Sequence, residues 1–141
     1  MYNLVNKMRH ALQTAADEKE ALIMTKYMRN NFAFYGVRMP KVKAIVKEYW
    51  PNASNFSDLN TFIRLAWQCP EREFQYAAMY AMHSSRTLWT QHNRSEDIDS
   101  LLAFIISNKS WWDTVDFIAS SLVFEWWKCD PDLVDQVINT Y

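Results

Sequence analysis

Glu71-Arg-Glu-Phe-Gln-Tyr-Ala-Ala-Met-Tyr-Ala-Met82 holds no glycine or proline, and its apolar members recur every three or four positions. Phe74, Ala77, Ala78, Ala81 and Met82 form one face and Tyr76, Met79 and Tyr80 nearly a second, so the spacing predicts a helix buried on most sides. Its neighbours read the same way. Pro40, Pro70 and Pro131 each precede an amphipathic run, as suits proline in a first helical turn, and Asp130 is a ready N-cap before the last of them. Val42, Ile45, Val46 and Tyr49 follow Pro40 at helical spacing. Ser57 can cap a run carrying Leu59, Phe62, Ile63 and Ala66, and Ser95 can open one carrying Ile98, Leu101, Leu102 and Ile105. Ser110 can cap a stripe of Trp111, Val115, Ile118, Ala119 and Leu122, while Val134, Val137, Ile138 and Tyr141 mark a last helix. Two more helices fit at about 3–14 and 17–29, the second capped by Asp17.

These starts recur at a regular offset. Asp17, Ser57 and Asp97 stand 40 residues apart, as do Glu71 and Trp111, with Leu22, Phe62 and Leu102 in register. Paired helices at this period are the signature of an all-α, HEAT-like helical repeat solenoid, an α-α superhelix, although the residues of successive repeats differ and an irregular bundle fits the same helices. A solenoid presents an extended concave surface suited to a long partner. The whole chain, 1–141, is then a single helical-repeat domain.

Composition narrows the function classes. The 141 residues are 50% hydrophobic and include one glycine. Dinucleotide fingerprints need three glycines and phosphate-cradling loops two, so neither device is present, and a G-x-S-x-G elbow cannot form around Gly36 alone. His10, His83 and His92 show no zinc-binding spacing, and Cys69 and Cys129 read as small buried hydrophobes; no metal site is expected. The N-terminal residues lack an apolar signal core and no apolar run, Leu101–Ile106 included, approaches the ~18 residues that span a bilayer, so the expectation is a cytoplasmic protein without a membrane partner. The Asn-x-Ser triplets at Asn52, Asn55, Asn93 and Asn108 are then unused.

A formal net charge of −1 conceals a polarised chain. Residues 1–50 carry +5, residues 51–100 carry −2 and the remainder −4. The basic third, with Lys43 and Lys47 one helical turn apart, offers a wall able to follow a phosphate backbone. Lys109-Ser-Trp-Trp-Asp-Thr-Val-Asp116 is the one constellation with chemical potential. Trp112 and Asp116, four apart, share a helical face, whereas Trp111 goes with the apolar stripe. An exposed indole beside a carboxylate can hold a cation or an oxocarbenium-like sugar; the spacing alone suits two core tryptophans and a surface acid better.

Tyr27-Met-Arg-Asn-Asn-Phe-Ala-Phe-Tyr-Gly-Val-Arg-Met-Pro40, Cys69-Pro-Glu-Arg-Glu-Phe-Gln-Tyr76 and Lys109–Asp116, in this order, resemble the AlkD-like family of alkylpurine DNA glycosylases. The resemblance implies HEAT-like repeats and hydrolysis, without a cofactor, of the N-glycosidic bond of cationic N3- or N7-alkylated purines in double-stranded DNA. It implies that Asp116 is the catalytic aspartate and Trp112 the aromatic residue against the lesion. Tyr27, Arg38 and Met39 fall at positions near DNA, where the family more often has small polar residues at the last two. Arg29, Arg38, Lys43 and Lys47 are the candidate phosphate contacts. Gly36 matches a loop glycine, and Pro70–Tyr76 a structural helix start. The family pattern continues past Tyr141 with an arginine and another groove aromatic, so the chain resembles an N-terminal portion lacking C-terminal repeats. Self-association through its open C-terminal end is expected on that reading. The alternative is a non-catalytic HEAT-like module that binds DNA or protein.

Overall fold

The computed structural model describes residues 1–50, 55–90, 96–129 and 132; within these every regular element is helical. The chain divides into two compact units, Met1–Ala81 and Met82–Tyr141. The expected helix after Pro131, its Asp130 cap, the Ser95 start and the open C-terminal end fall outside the described residues. No helix among the described residues is long and apolar enough to cross a membrane.

In the first unit, α1 (Tyr2–Thr14) buries Val5, Met8 and Leu12 and packs on α3 (Met39–Tyr49) and α4 (Phe56–Gln68). α2 (Glu18–Tyr27) starts at Asp17, whose Oδ1 accepts from the amides of Lys19 and Glu20 at 2.9 and 3.1 Å. Acidic Glu18 and Glu20 in its first turn and Lys26 in its last suit the helix dipole. α3 carries Pro40 in its first turn and buries Val42, Ile45 and Val46, after which Trp50 stacks on Phe62 of α4 at 5.0 Å. Asn55, not Ser57, caps α4: its extended backbone lets Oδ1 accept the Asp58 amide at 2.8 Å, which leaves Ser57 inside the first turn. Phe62 and Leu102 are buried as their shared register requires, but Leu22 is 72% exposed, because α2 buries none of its residues.

α5 (Arg72–Ser84) is the densely buried helix expected from its sequence, and the starts of α5 and α8 (Trp112–Phe117) stand 40 residues apart. What holds its first turn is polar, however. Arg72, Glu73 and Gln75 are all fully buried. Glu73 accepts three backbone N–H groups of the loop between α2 and α3, from Tyr35, Gly36 and Val37, at 3.0, 2.9 and 3.1 Å. The Arg72 guanidinium lies 3.7 Å from the Phe32 ring centroid, and its amide donates to the Ala33 carbonyl at 2.8 Å. Gln75 Nε2 donates to the carbonyls of Ala66 and Cys69 at the end of α4, at 3.0 and 3.1 Å, the Ala66 carbonyl also accepting the Cys69 amide. The loop is pressed onto α2 as well. Gly36 has φ +89°, and a Cβ there would stand 2.0 Å from the Asp17 carbonyl oxygen.

The second unit contains α6 (Thr87–Thr90), α7 (Glu96–Ser107), α8, a π-helical turn at Ile118–Val123 and α9 (Phe124–Lys128). Trp89 is buried with its indole N–H on the Met82 carbonyl at 3.0 Å, and α7 turns Ile98, Leu101, Leu102 and Ile105 inward. The π turn packs against α7, and α9 against α6.

Glu73→Ala leaves three buried donors without an acceptor and is expected to cost about 3–5 kcal/mol in urea unfolding, with Glu73→Gln costing less because one acceptor oxygen remains. Gly36→Ala is expected to cost more than about 3 kcal/mol, combining a left-handed backbone with a clash against backbone that cannot move aside.

Candidate functional site

The basic face of the first unit is built on α3 and the end of α2. Met39, Lys43 and Lys47 succeed one another by one turn along α3, and all three are exposed. Arg38 is the residue just before the helix, and its guanidinium donates to Glu20 at 2.7 Å. That hydrogen bond, then the charge of Glu20, raises the Arg38 pKa further above its ordinary value. So exposed a pair contributes little to stability, so an incoming phosphate can compete for the guanidinium. Lys43 Nζ lies 5.6 Å from the Tyr80 ring, which steadies the ammonium without neutralising it.

Tyr27 closes α2 and is exposed. Beyond it Arg29 and Asn30 adopt left-handed backbone, φ 54° and 61°, and donate their amides to Lys26 and Thr25. Two successive non-glycine residues in this region are uncommon, and here they turn the chain sharply at the end of the helix. Tyr27, Arg29, Arg38, Met39, Lys43 and Lys47 therefore all reach the surface of one compact unit.

Trp112 and Asp116 belong to the second unit. Trp111 is the residue before α8, with extended backbone at φ −154°, and Trp112 begins the helix 49% exposed. Asp116, one turn on, is exposed on the same face, and Ser120 Oγ donates to its backbone carbonyl at 2.7 Å. The expectation that Trp111 turns inward and Trp112 outward holds in direction, Trp111 being the less exposed. Two details differ. Ser110 does not cap α8, because its hydroxyl bonds back to the Ile106 carbonyl. Val115 and Ala119 are exposed rather than part of the inward stripe, because the line that faces the interior is Thr114, Ile118 and Leu122.

A family model described as DNA alkylation repair enzyme matches residues 8–139. The chain belongs to that family. No curated protein matches the chain. Membership in the DNA alkylation repair enzyme family gives the chain a role in DNA repair and alkylated DNA as its substrate class. Among the described residues, no group of three or more His, Cys, Asp or Glu is placed to hold a metal ion.

The polar members of Pro70–Tyr76 carry a role that the aromatic pattern of this stretch does not show. Three hydrophilic side chains, Arg72, Glu73 and Gln75, at the head of a helix otherwise rich in apolar residues were the available signal, since buried polar groups are held in place mainly by hydrogen bonds. Through them Glu73 fixes the loop that delivers Arg38 and Met39. Tyr35 shares this loop. Its ring meets Phe74 edge-on at 6.2 Å, and burial first, then the Glu71 carboxylate, push its phenol up to about 12.

Above the ordinary tyrosine pKa the unfolded chain releases this proton while the folded chain keeps it, so stability falls as pH rises from about 10 to about 12. Tyr35→Phe removes that component. The wild-type urea midpoint is expected to fall relative to that of Tyr35→Phe as pH rises across this range, and parallel curves would exclude the effect.

Proposed function

We propose that the chain is a DNA glycosylase that hydrolyses the N-glycosidic bond of cationic N3- or N7-alkylated purines in duplex DNA. The observation that carries the reading is the pair Trp112 and Asp116, exposed one helical turn apart in a chain of the DNA alkylation repair enzyme family. Alkylation at N3 or N7 leaves the purine positively charged, so the base departs without protonation by the protein. The bond from C1′ to the base breaks, its electron pair neutralises the purine ring, and water oxygen bonds to C1′. Asp116 stabilises the positive charge that builds on the deoxyribose and accepts the proton shed by that water. The Trp112 face attracts the cationic base by about 0.5–2 kcal/mol. The reaction so written calls for no metal and no organic cofactor.

Tyr27, Arg29, Arg38, Met39, Lys43 and Lys47 take the DNA side of the work, the cations holding phosphates and the other two the groove surface. Residues 1–141 are read as one HEAT-like helical-repeat domain of a cytoplasmic protein. The 40-residue interval between the starts of α5 and α8 supports the repeat.

Release of 7-methylguanine from methylated duplex DNA tests the reading. Asp116→Asn is expected to lower release at least about 100-fold while the unfolding midpoint stays unchanged, because the side chain is exposed. Equal release by wild type and variant removes Asp116 from the mechanism. Salt-dependent duplex binding without any release favours the non-catalytic module instead.

A further inference from the structure

Trp112, Asp116, Ser120, Phe124 and Lys128 succeed one another at intervals of four, and all five are exposed. A regular α-helix cannot keep such a row straight. Each step of four residues drifts by about 40°, so over twelve residues Phe124 would stand about 120° round from Trp112. The π-helical turn Ile118–Val123 removes the drift. Its wider ring takes in one residue more than an α turn, which returns the register by about 100° and leaves Phe124 about 20° from Trp112. The buried side agrees, since Thr114, Ile118 and Leu122 also stand four apart and are fully buried. Phe124 is 53% exposed, close to the value for Trp112.

We infer that Phe124 is a second aromatic contact to duplex DNA, placed by the π turn in line with Trp112 and Asp116 and backed by Lys128 as a phosphate contact. The inference rests on the glycosylase reading for the identity of the partner. Two features of the row favour a nucleic acid. Its chemistry changes along its length, from an indole and a carboxylate suited to a cationic base and sugar, to a phenyl ring and an ammonium suited to the anionic strand beside them. Lys128 Nζ lies 4.7 Å from the Phe124 ring and 3.1 Å from Glu125, so the ring and the carboxylate together fix the position of the cation. Lys128 is the one cation in α8 to α9, beside three acids, Asp113, Asp116 and Glu125, so stacking by the rings rather than net charge carries the contact. Π-helical turns are frequent at functional sites, and this one starts two residues after Asp116. The twelve residues between Trp112 and Phe124 rise about 18 Å, so the two rings touch different nucleotides.

Fluorescence anisotropy with a labelled duplex, undamaged or carrying one tetrahydrofuran abasic site, tests the inference on the chain itself. Phe124→Ala is expected to weaken binding to both duplexes by the same factor, roughly tenfold, and Phe124→Trp to restore it. Lys128→Ala is expected to weaken binding and reduce the salt slope by about one. Wild-type affinity in Phe124→Ala overturns the inference, as does failure of the wild-type chain to bind either duplex. Asp116→Asn separates this result from the glycosylase reading. Lost base release in that variant beside intact binding in Phe124→Ala defeats the inference alone, while intact release beside lost Phe124→Ala binding defeats the glycosylase reading and leaves the DNA contact standing.

Discussion

The Glu73 carboxylate, buried with three backbone N–H donors around it, is the constraint on which the first unit depends. A carboxylate taken out of water is costly unless its oxygens are occupied, and here one helix supplies the charge and one loop supplies the donors. The arrangement is reciprocal. The loop gains an anchor for amides that no helix or strand would satisfy, and α5 gains a negative charge in its first turn where the helix dipole favours it. Because Arg38 and Met39 follow the third donor directly, the direction in which α3 sets out is tied to a side chain more than thirty residues away in sequence.

Arg72 and Gln75 extend the same principle to both sides of Glu73. One places a guanidinium on Phe32, the other donates to carbonyls where α4 stops. A single turn of helix thereby joins a loop, a helix end and an aromatic cluster through polar contacts, while the apolar packing that follows, from Phe74 to Met82, fills volume. Polar contacts of this kind demand one geometry, and apolar packing tolerates several.

The helices were legible because periodicity survives any tertiary arrangement, and the proline and Asp17 starts mark local events. Ser57 and Ser110 misled because a cap depends on which nearby oxygen reaches the free amides first. Asn55 and the extended Trp111 backbone decided that, and spacing does not encode it. The placement of Ala119 was illegible for a different reason: helical wheels assume a constant turn, and the π turn Ile118–Val123 breaks the assumption. On the candidate site, spacing left Trp112 open between a core position and an outward one, whereas the exposure of the α3 lysines was readable from their shared face. The pairing of Arg38 with Glu20 was not, since it joins residues whose proximity arises from the loop that Glu73 holds.

The π turn also has a meaning at the level of the gene. A π turn accommodates one residue more than a regular α turn would. Deleting any one codon from Ile118 to Val123 would leave a sequence still able to form helix, yet it would swing α9 about 100° away from its seat on α6. Small deletions in a helix are usually judged by what they remove. This one would be judged by what it turns, and the residues that suffer would lie downstream of the lesion in the reading frame.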